Sequence, residues 1–225
     1  MFEKIYGSSP YKSPTDMGVN MAGNCICDDE ACCEASCQEI IRRYYTALGS
    51  LLKGNSSEKE AEKIELLMNM AGITIADRKV AVTALERAKE SDAPAAALEL
   101  EDGRIITGKT SNLLGASAAL LLNVLKELAG VDHSIRIISP ESIEPIQKLK
   151  SKNPRLHTDE VLIALSGSAA TNPLAELALS QLPKLKGCQA HTSVMLSDVD
   201  IKTFKKLGVQ LTCEAVYEPS RRFKV

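Results

Sequence analysis

Pro94-AAALELEDGRIITGKTSNLLGASAALLLNVLKELA-Gly130 is the stretch whose reading decides the fold. Ala95 to Leu100 alternates around Leu98 and Leu100, and Arg104 to Thr107 is β-branched at its centre. Between them stands Asp102-Gly103, a hairpin signal because the tight turn needs a positive φ. From Gly115 to Ala129 the residues are apolar almost without a break. That run is too short for a membrane span, which takes about 20 residues. A helix apolar nearly all round is instead buried in a domain core, and Gly130 closes it.

Gly103-Arg-Ile-Ile-Thr-Gly108-Lys109-Thr110 matches the letters of a phosphate loop, G-x-x-x-x-G-K-[ST]. The context disfavours that reading. A phosphate loop follows a strand and wraps its amides around the phosphates, whereas Arg-Ile-Ile-Thr here has the pattern of a strand itself. A weaker expectation survives: Lys109, Thr110, Ser111 and Asn112 form a polar loop feeding a helix start, where free amides and the dipole favour an anion.

The chain has 225 residues, enough for a proper core. Its net charge of −2 argues against a nucleic-acid or membrane surface. With 4% aromatic residues and no Trp, a base-stacking platform is not expected either. Seven cysteines, an odd number, and no apolar leader point to reduced thiols in the cytoplasm.

Upstream, residues 1 to 24 are rich in Gly, Ser, Pro and Asn and are expected to be loop, with Met1 interrupting a longer ancestral chain. Three helices follow: Asp28 to Gly54, one opened by a Ser57-x-x-Glu60 capping box, and Ala76 to Glu90. They suggest a small bundle ending near residue 92. Downstream, Ile135 to Ile138 has the pattern of a buried strand and Ser139-Pro140 opens a helix. Thr158 caps another helix, and Asn172-Pro173 starts a third. Strands are expected at Ala190 to Leu196 and Val209 to Cys213, with a short helix from Ser197 or Asp198 between them. The expected architecture is α/β: a helical segment over 1–92, then a three-layer αβα mixed-sheet domain of five strands over 93–225.

Hairpin, helix, strand, helix is the order on which zinc deaminases carry their ligands. Here Gly115-Ala116-Ser117 and Pro140-Glu141-Ser142 stand at the two helix starts, without the His and Cys that zinc chemistry needs. A deaminase-like topology lacking zinc ligands is therefore expected. The group Cys25, Cys27, Cys32, Cys33, Cys37 lacks paired C-x-x-C spacing and suggests small buried thiols rather than a metal centre. If an acid–base group exists it is His157, with Asp159 nearby, in the dense polar segment Asn153 to Glu160.

Several long motifs carry a family resemblance: TDMGVN (15–20), QEIIRRYY (38–45), DGRIITGKTSNLLGASAALLLN (102–123), SPESIEPIQKLK (139–150) and NPRLHTDEVLIALS (153–166). AATNPLA (169–175), LPKLKGCQAHTSVMLSDVD (182–200) and KLGVQLTCE (206–214) extend it over nearly the whole chain. Together they resemble the C-terminal half of the bacterial domain-of-unknown-function 1846 family. The resemblance implies no agreed activity. It implies a helical segment followed by a deaminase-like α/β part, and a further N-terminal half with a P-G-x-G-S-G-K turn that this chain lacks. Cys27, Cys32, Cys33 and Cys37 depart from the apolar or basic residues usual there, and Gly167 from a larger apolar one.

The expected function is the ligand-binding portion of a cytoplasmic enzyme acting on an anionic, phosphorylated or nucleotide-like molecule. Its ligand residues would be Lys12, Thr15, Asp16, Asn20, Lys109, Thr110, Ser111, Asn112, Asn153, Arg155, Thr171 and Asn172, gathered at helix starts around one hollow. No cofactor is identified by any motif. The alternative is a non-catalytic module that packs against a second copy, as a homo-oligomer, or against the missing N-terminal half.

Overall fold

The computed structural model describes residues 28–150 and 154–218. Helix α1 (Asp29–Leu52) opens on Asp28, whose carboxylate accepts from Ala31 N at 2.9 Å. Helix α2 is Glu58–Ala71 and closes on Gly72 at φ 67°. The capping box expected at Ser57 does not form; Glu60 instead accepts from Ser56 Oγ at 2.5 Å. After a 3₁₀ turn at Ile75–Asp77 comes α3 (Lys79–Ser91). Strands β1 (Ala95–Glu99) and β2 (Ile105–Lys109) form the hairpin, with Gly103 at φ 82°. Helices α4 (Ala116–Leu128), α5 (Pro140–Leu149), α6 (Thr158–Ala169) and α7 (Pro173–Leu179) follow. A 3₁₀ turn, β3 (Gln189–Thr192), α8 (Asp198–Lys206) and β4 (Gln210–Cys213) complete the described chain.

The chain is a mixed α/β protein, its described strands ordered β2-β1-β3-β4. Strand β1 is antiparallel to both β2 and β3, and β3 is parallel to β4. It follows that β2, β3 and β4 all point their C-terminal ends to one edge of the sheet. Ala97 pairs with His191 in the β1–β3 register, so the two share a face. That face carries α3, through Val80 and Ala84 against Ala97, and α1, whose Tyr45 ring lies 4.8 Å from that of His191. Ala96, Leu98 and Ala190 face the other way, into the main core with α4. Leu120, Leu121 and Leu125 of α4 are fully buried there, each contributing about 2 kcal/mol by removal from water. Helix α6 packs outside α4 and α8.

One close approach locks α4 onto the sheet. A Cβ on Gly108 of β2 would stand 2.2 Å from Leu120 N, so strand and helix meet backbone to backbone. Only glycine permits that distance.

Two expectations are corrected. Four strands form among the described residues, not five, because Ile135 to Ile138 is not a strand. The carbonyls of His133 and Ile135 are taken by Lys126 Nζ at 2.6 and 2.7 Å, while Ile137 and Ile138 bury singly in the core. Three helices (α5, α6, α7) therefore separate α4 from the next strand, and the expected order hairpin, helix, strand, helix is interrupted. Lys109 also moves from loop to strand, paired with Ala95 at the end of β2. No helix among the described residues is long and apolar enough to cross a membrane.

Candidate functional site

Three helix starts meet beyond the C-terminal ends of the strands. Helix α4 begins after β2, α8 begins after β3, and α6 is brought beside them by an isolated bridge between Leu114 and Leu156. Leu156 O also accepts from Gly115 N at 3.2 Å. The small hollow between them, about 80 Å³, is lined by Thr110, Ala116, Ser117, Arg155, His157 and Asp200, with Met195 and Leu196 as an apolar wall and Glu218 at its side. Crevices at the carboxyl ends of strands are where open α/β sheets take their ligands.

Asp200, in the first turn of α8 and 3% exposed, organises this place. Its Oδ2 lies 2.9 Å from His157 Nδ1 and accepts from Ser197 Oγ at 2.6 Å. Its Oδ1 accepts from Thr158 N at 2.8 Å and from Thr158 Oγ1 at 2.5 Å. Thr158 Oγ1 is also 3.3 Å from Ser117 Oγ on α4, so one carboxylate ties together all three helix starts. Burial alone would raise the Asp200 carboxyl, but the hydrogen bonds from His157, Ser197 and Thr158 outweigh it and hold the group well below the usual carboxylate range. The same bond to Asp200 raises the His157 imidazole against the opposing effect of burial. His157 is the N-cap of α6, where Thr158 had been expected, and its backbone N donates to Glu160 Oε2 at 2.7 Å. With Nδ1 turned to Asp200, Nε2 has no hydrogen-bond partner among the described residues. Arg155, 9% exposed, donates from Nη1 to Glu218 Oε1 at 2.6 Å.

Of the expected site residues, Thr110, Arg155 and His157 line the hollow. Asp159 does not; its Oδ1 is buried elsewhere without a hydrogen-bond partner among the described residues, and Asp200 is the carboxylate that faces His157. Lys109 is exposed at the sheet edge, and Asn112 is exposed in the loop after it. Ser111 Oγ accepts from Leu113 N and Leu114 N, shaping that loop. Thr171 and Asn172 stand at the far end of α6, about 18 Å from His157 at 1.5 Å per residue; Asn172 caps α7 there and donates to Ile137 O at 3.4 Å. Lys12, Thr15, Asp16, Asn20 and Asn153 lie outside the described residues. So do Cys25 and Cys27, while Cys32, Cys33 and Cys37 are free thiols on α1. No group of three metal-ligating side chains occurs among the described residues.

Fold and site thus define a mixed α/β protein with a histidine–aspartate pair where three helices begin. Comparison with known proteins adds a family. Residues 76–223 match the model described as domain of unknown function DUF1846, C-terminal, and residues 1–72 match its N-terminal counterpart. The chain belongs to the DUF1846 family. It is not confined to the family's C-terminal part, as the motifs had suggested, because residues 1–72 match the N-terminal description. A UPF0371 protein of Corynebacterium efficiens is 56% identical over 223 residues, 97% of this chain and 45% of the relative. A UPF0371 protein of Streptococcus pneumoniae is 49% identical over 229 aligned positions, 100% of this chain and 46% of the relative. The chain spans about half the length of these relatives.

Proposed function

We propose that this chain forms the anion-holding and proton-transferring part of an enzyme that acts on a small phosphorylated or nucleotide-like molecule. The observation that carries the reading is the 2.9 Å His157–Asp200 pair at the meeting of three helix starts. The first amides of α4, at Ala116 and Ser117, have no acceptor within the helix and suit an anionic oxygen. A hollow of about 80 Å³ takes a headgroup rather than a whole substrate. His157, its Nδ1 held by Asp200, would present Nε2 to that headgroup as acid or base, in the orientation that a carboxylate imposes on an imidazole. Its raised pKa keeps the proton-donating form to a higher pH than a free imidazole would.

The test is a thermal-shift screen with inorganic phosphate, nucleoside monophosphates and sugar phosphates on the wild-type chain and on His157→Asn. A ligand at a hundred times its Kd should stabilise by about 2.7 kcal/mol, a rise of several degrees. His157→Asn should weaken that ligand about tenfold or more. A screen without any shift, or equal shifts in the variant, would sink the reading.

A second reading, a packing module, is favoured by one observation. Leu66 and Met70, one turn apart on α2, are 61% and 78% exposed, with Leu67 and Ile75 exposed as well. Such a face suits a second copy, or the rest of a longer protein. Sedimentation of the wild type should then show a dimer that Leu66→Lys with Met70→Lys converts to monomer. A monomeric wild type leaves a homo-oligomer without support.

A further inference from the structure

At the other end of α4, Lys126 is a buried cation that makes no direct ion pair among the described residues. The residue is 5% exposed, and its ammonium donates to two carbonyls, His133 O at 2.6 Å and Ile135 O at 2.7 Å. An ammonium carries three protons, and no acceptor takes the third among the described residues. No carboxylate forms an ion pair with it there: Glu127, the next residue, is turned to Arg104 and His133, and Asp132, which acts on the ammonium only across space, takes its hydrogen bonds from Ser134 N and Oγ at 2.8 and 2.5 Å. An unpaired buried charge is costly, which makes it a poor choice for merely holding a loop.

The cation sits in the wall of a cleft. His133 and Ile135, which hold the ammonium, line it together with Lys126, and the cleft measures about 440 Å³, within the range of small-molecule sites. Leu122, Ile138 and Ile143 supply apolar walls. Arg136 adds a second cation that has no carboxylate partner among the described residues. Glu144 alone among the lining residues is acidic, and it is turned to Lys148 at 3.9 Å on the rim. This cleft is distinct from the His157 hollow, about 15 Å away along α4 at 1.5 Å per residue.

We propose that this cleft binds a monocarboxylic acid with an apolar body, its carboxylate on Lys126 and its chain along Leu122, Ile138 and Ile143. The carboxylate would accept a hydrogen bond from the third ammonium N–H and balance its charge, while the walls remove the chain from water. A multiply charged phosphate suits the place less well, because its remaining charge would face apolar carbon.

The probe is decanoate below its micellar concentration, compared with decanol and decyltrimethylammonium by calorimetry and thermal shift on the full chain. Decanoate should bind and raise the melting temperature, decanol should bind at least tenfold more weakly, and the cationic surfactant should not bind. Lys126→Gln should lower decanoate affinity at least tenfold and leave decanol unchanged. Ile143→Trp, which fills the cleft from its partly buried edge, should abolish both. His157→Asn should leave decanoate binding intact, which separates this site from the one proposed above. The proposal is overturned if decanoate does not bind, if decanol binds as well, or if folded Lys126→Gln binds decanoate like the wild type. Should circular dichroism show that Lys126→Gln does not fold, the wild-type decanoate-to-decanol ratio and its loss in Ile143→Trp decide the matter.

Discussion

Arg78→Met is expected to cost about 3 kcal/mol or more of unfolding free energy, the largest effect of any single substitution outside the leucine core. Arg78 is 1% exposed, and none of its hydrogen bonds among the described residues goes to a carboxylate. Its five donors are spread over neutral acceptors. Nε donates to Thr212 Oγ1 at 2.9 Å, and Nη1 donates to Gln38 Oε1 at 3.1 Å and Gln189 Oε1 at 2.8 Å. Nη2 donates to the carbonyls of Ala190 at 2.9 Å and Gln210 at 2.8 Å. One side chain at the start of α3 therefore joins α1, β3 and β4. Burial pushes its pKa down only to about 10, so the charge is kept at neutral pH. Methionine fills much of the volume but leaves buried acceptors unserved. Arg78→Lys has three donors on one point instead of a five-donor fork, and should lose roughly half as much. Urea unfolding of the two variants checks both values; a loss under 1 kcal/mol for Arg78→Met would show the fork to be dispensable.

Asp200→Asn should cost about 3 kcal/mol and should also erase the raised titration of His157. The amide cannot accept the four contacts that the carboxylate takes from His157, Ser197 and Thr158. The pH dependence follows from the two shifts. His157 has a raised folded pKa, so its contribution is complete below its unfolded value, about 6.5, and fades as pH rises through the folded one. Asp200 has a lowered folded pKa, so its contribution is complete above its unfolded value, about 3.9, and fades as pH falls through the folded one. The stability gap between wild type and variant is thus widest between about pH 4 and 6.5 and narrows in alkali. Proton NMR of the imidazole reads the second effect directly. An unchanged His157 titration in a folded Asp200→Asn would break the link between the two side chains.

The parts that short-range chemistry dictates were legible in the sequence. Asp102-Gly103 turns the hairpin, the apolar run after Gly115 forms α4, and Asn172-Pro173 starts α7. What depended on distant partners was not. Asp200 looks like an ordinary first-turn acid of a short helix, and only the fold brings it across 43 residues to His157. Asp159 is nearer in sequence and faces elsewhere. Arg78 lies between Asp77 and Lys79, where a solvated helix start is the natural reading, and no local signal marks it as buried. Ile135 to Ile138 has the composition of a strand, yet a lysine on a neighbouring helix claims the carbonyls a ladder would use. Lys109 reads as loop because the residues after it are polar, but its register is set by Ala95.

The contact of Gly108 with the α4 backbone has a mechanical consequence. With no side chain between them to act as a bearing, the strand and helix have no room to slide or roll over one another. Helix α4 is then the fixed jaw of the hollow, anchored to the hairpin. Any widening of the hollow would then fall to the starts of α6 and α8, coupled by the Asp200 carboxylate, and would have to break the Leu114–Leu156 bridge and the Thr158–Ser117 contact that hold α6 to α4.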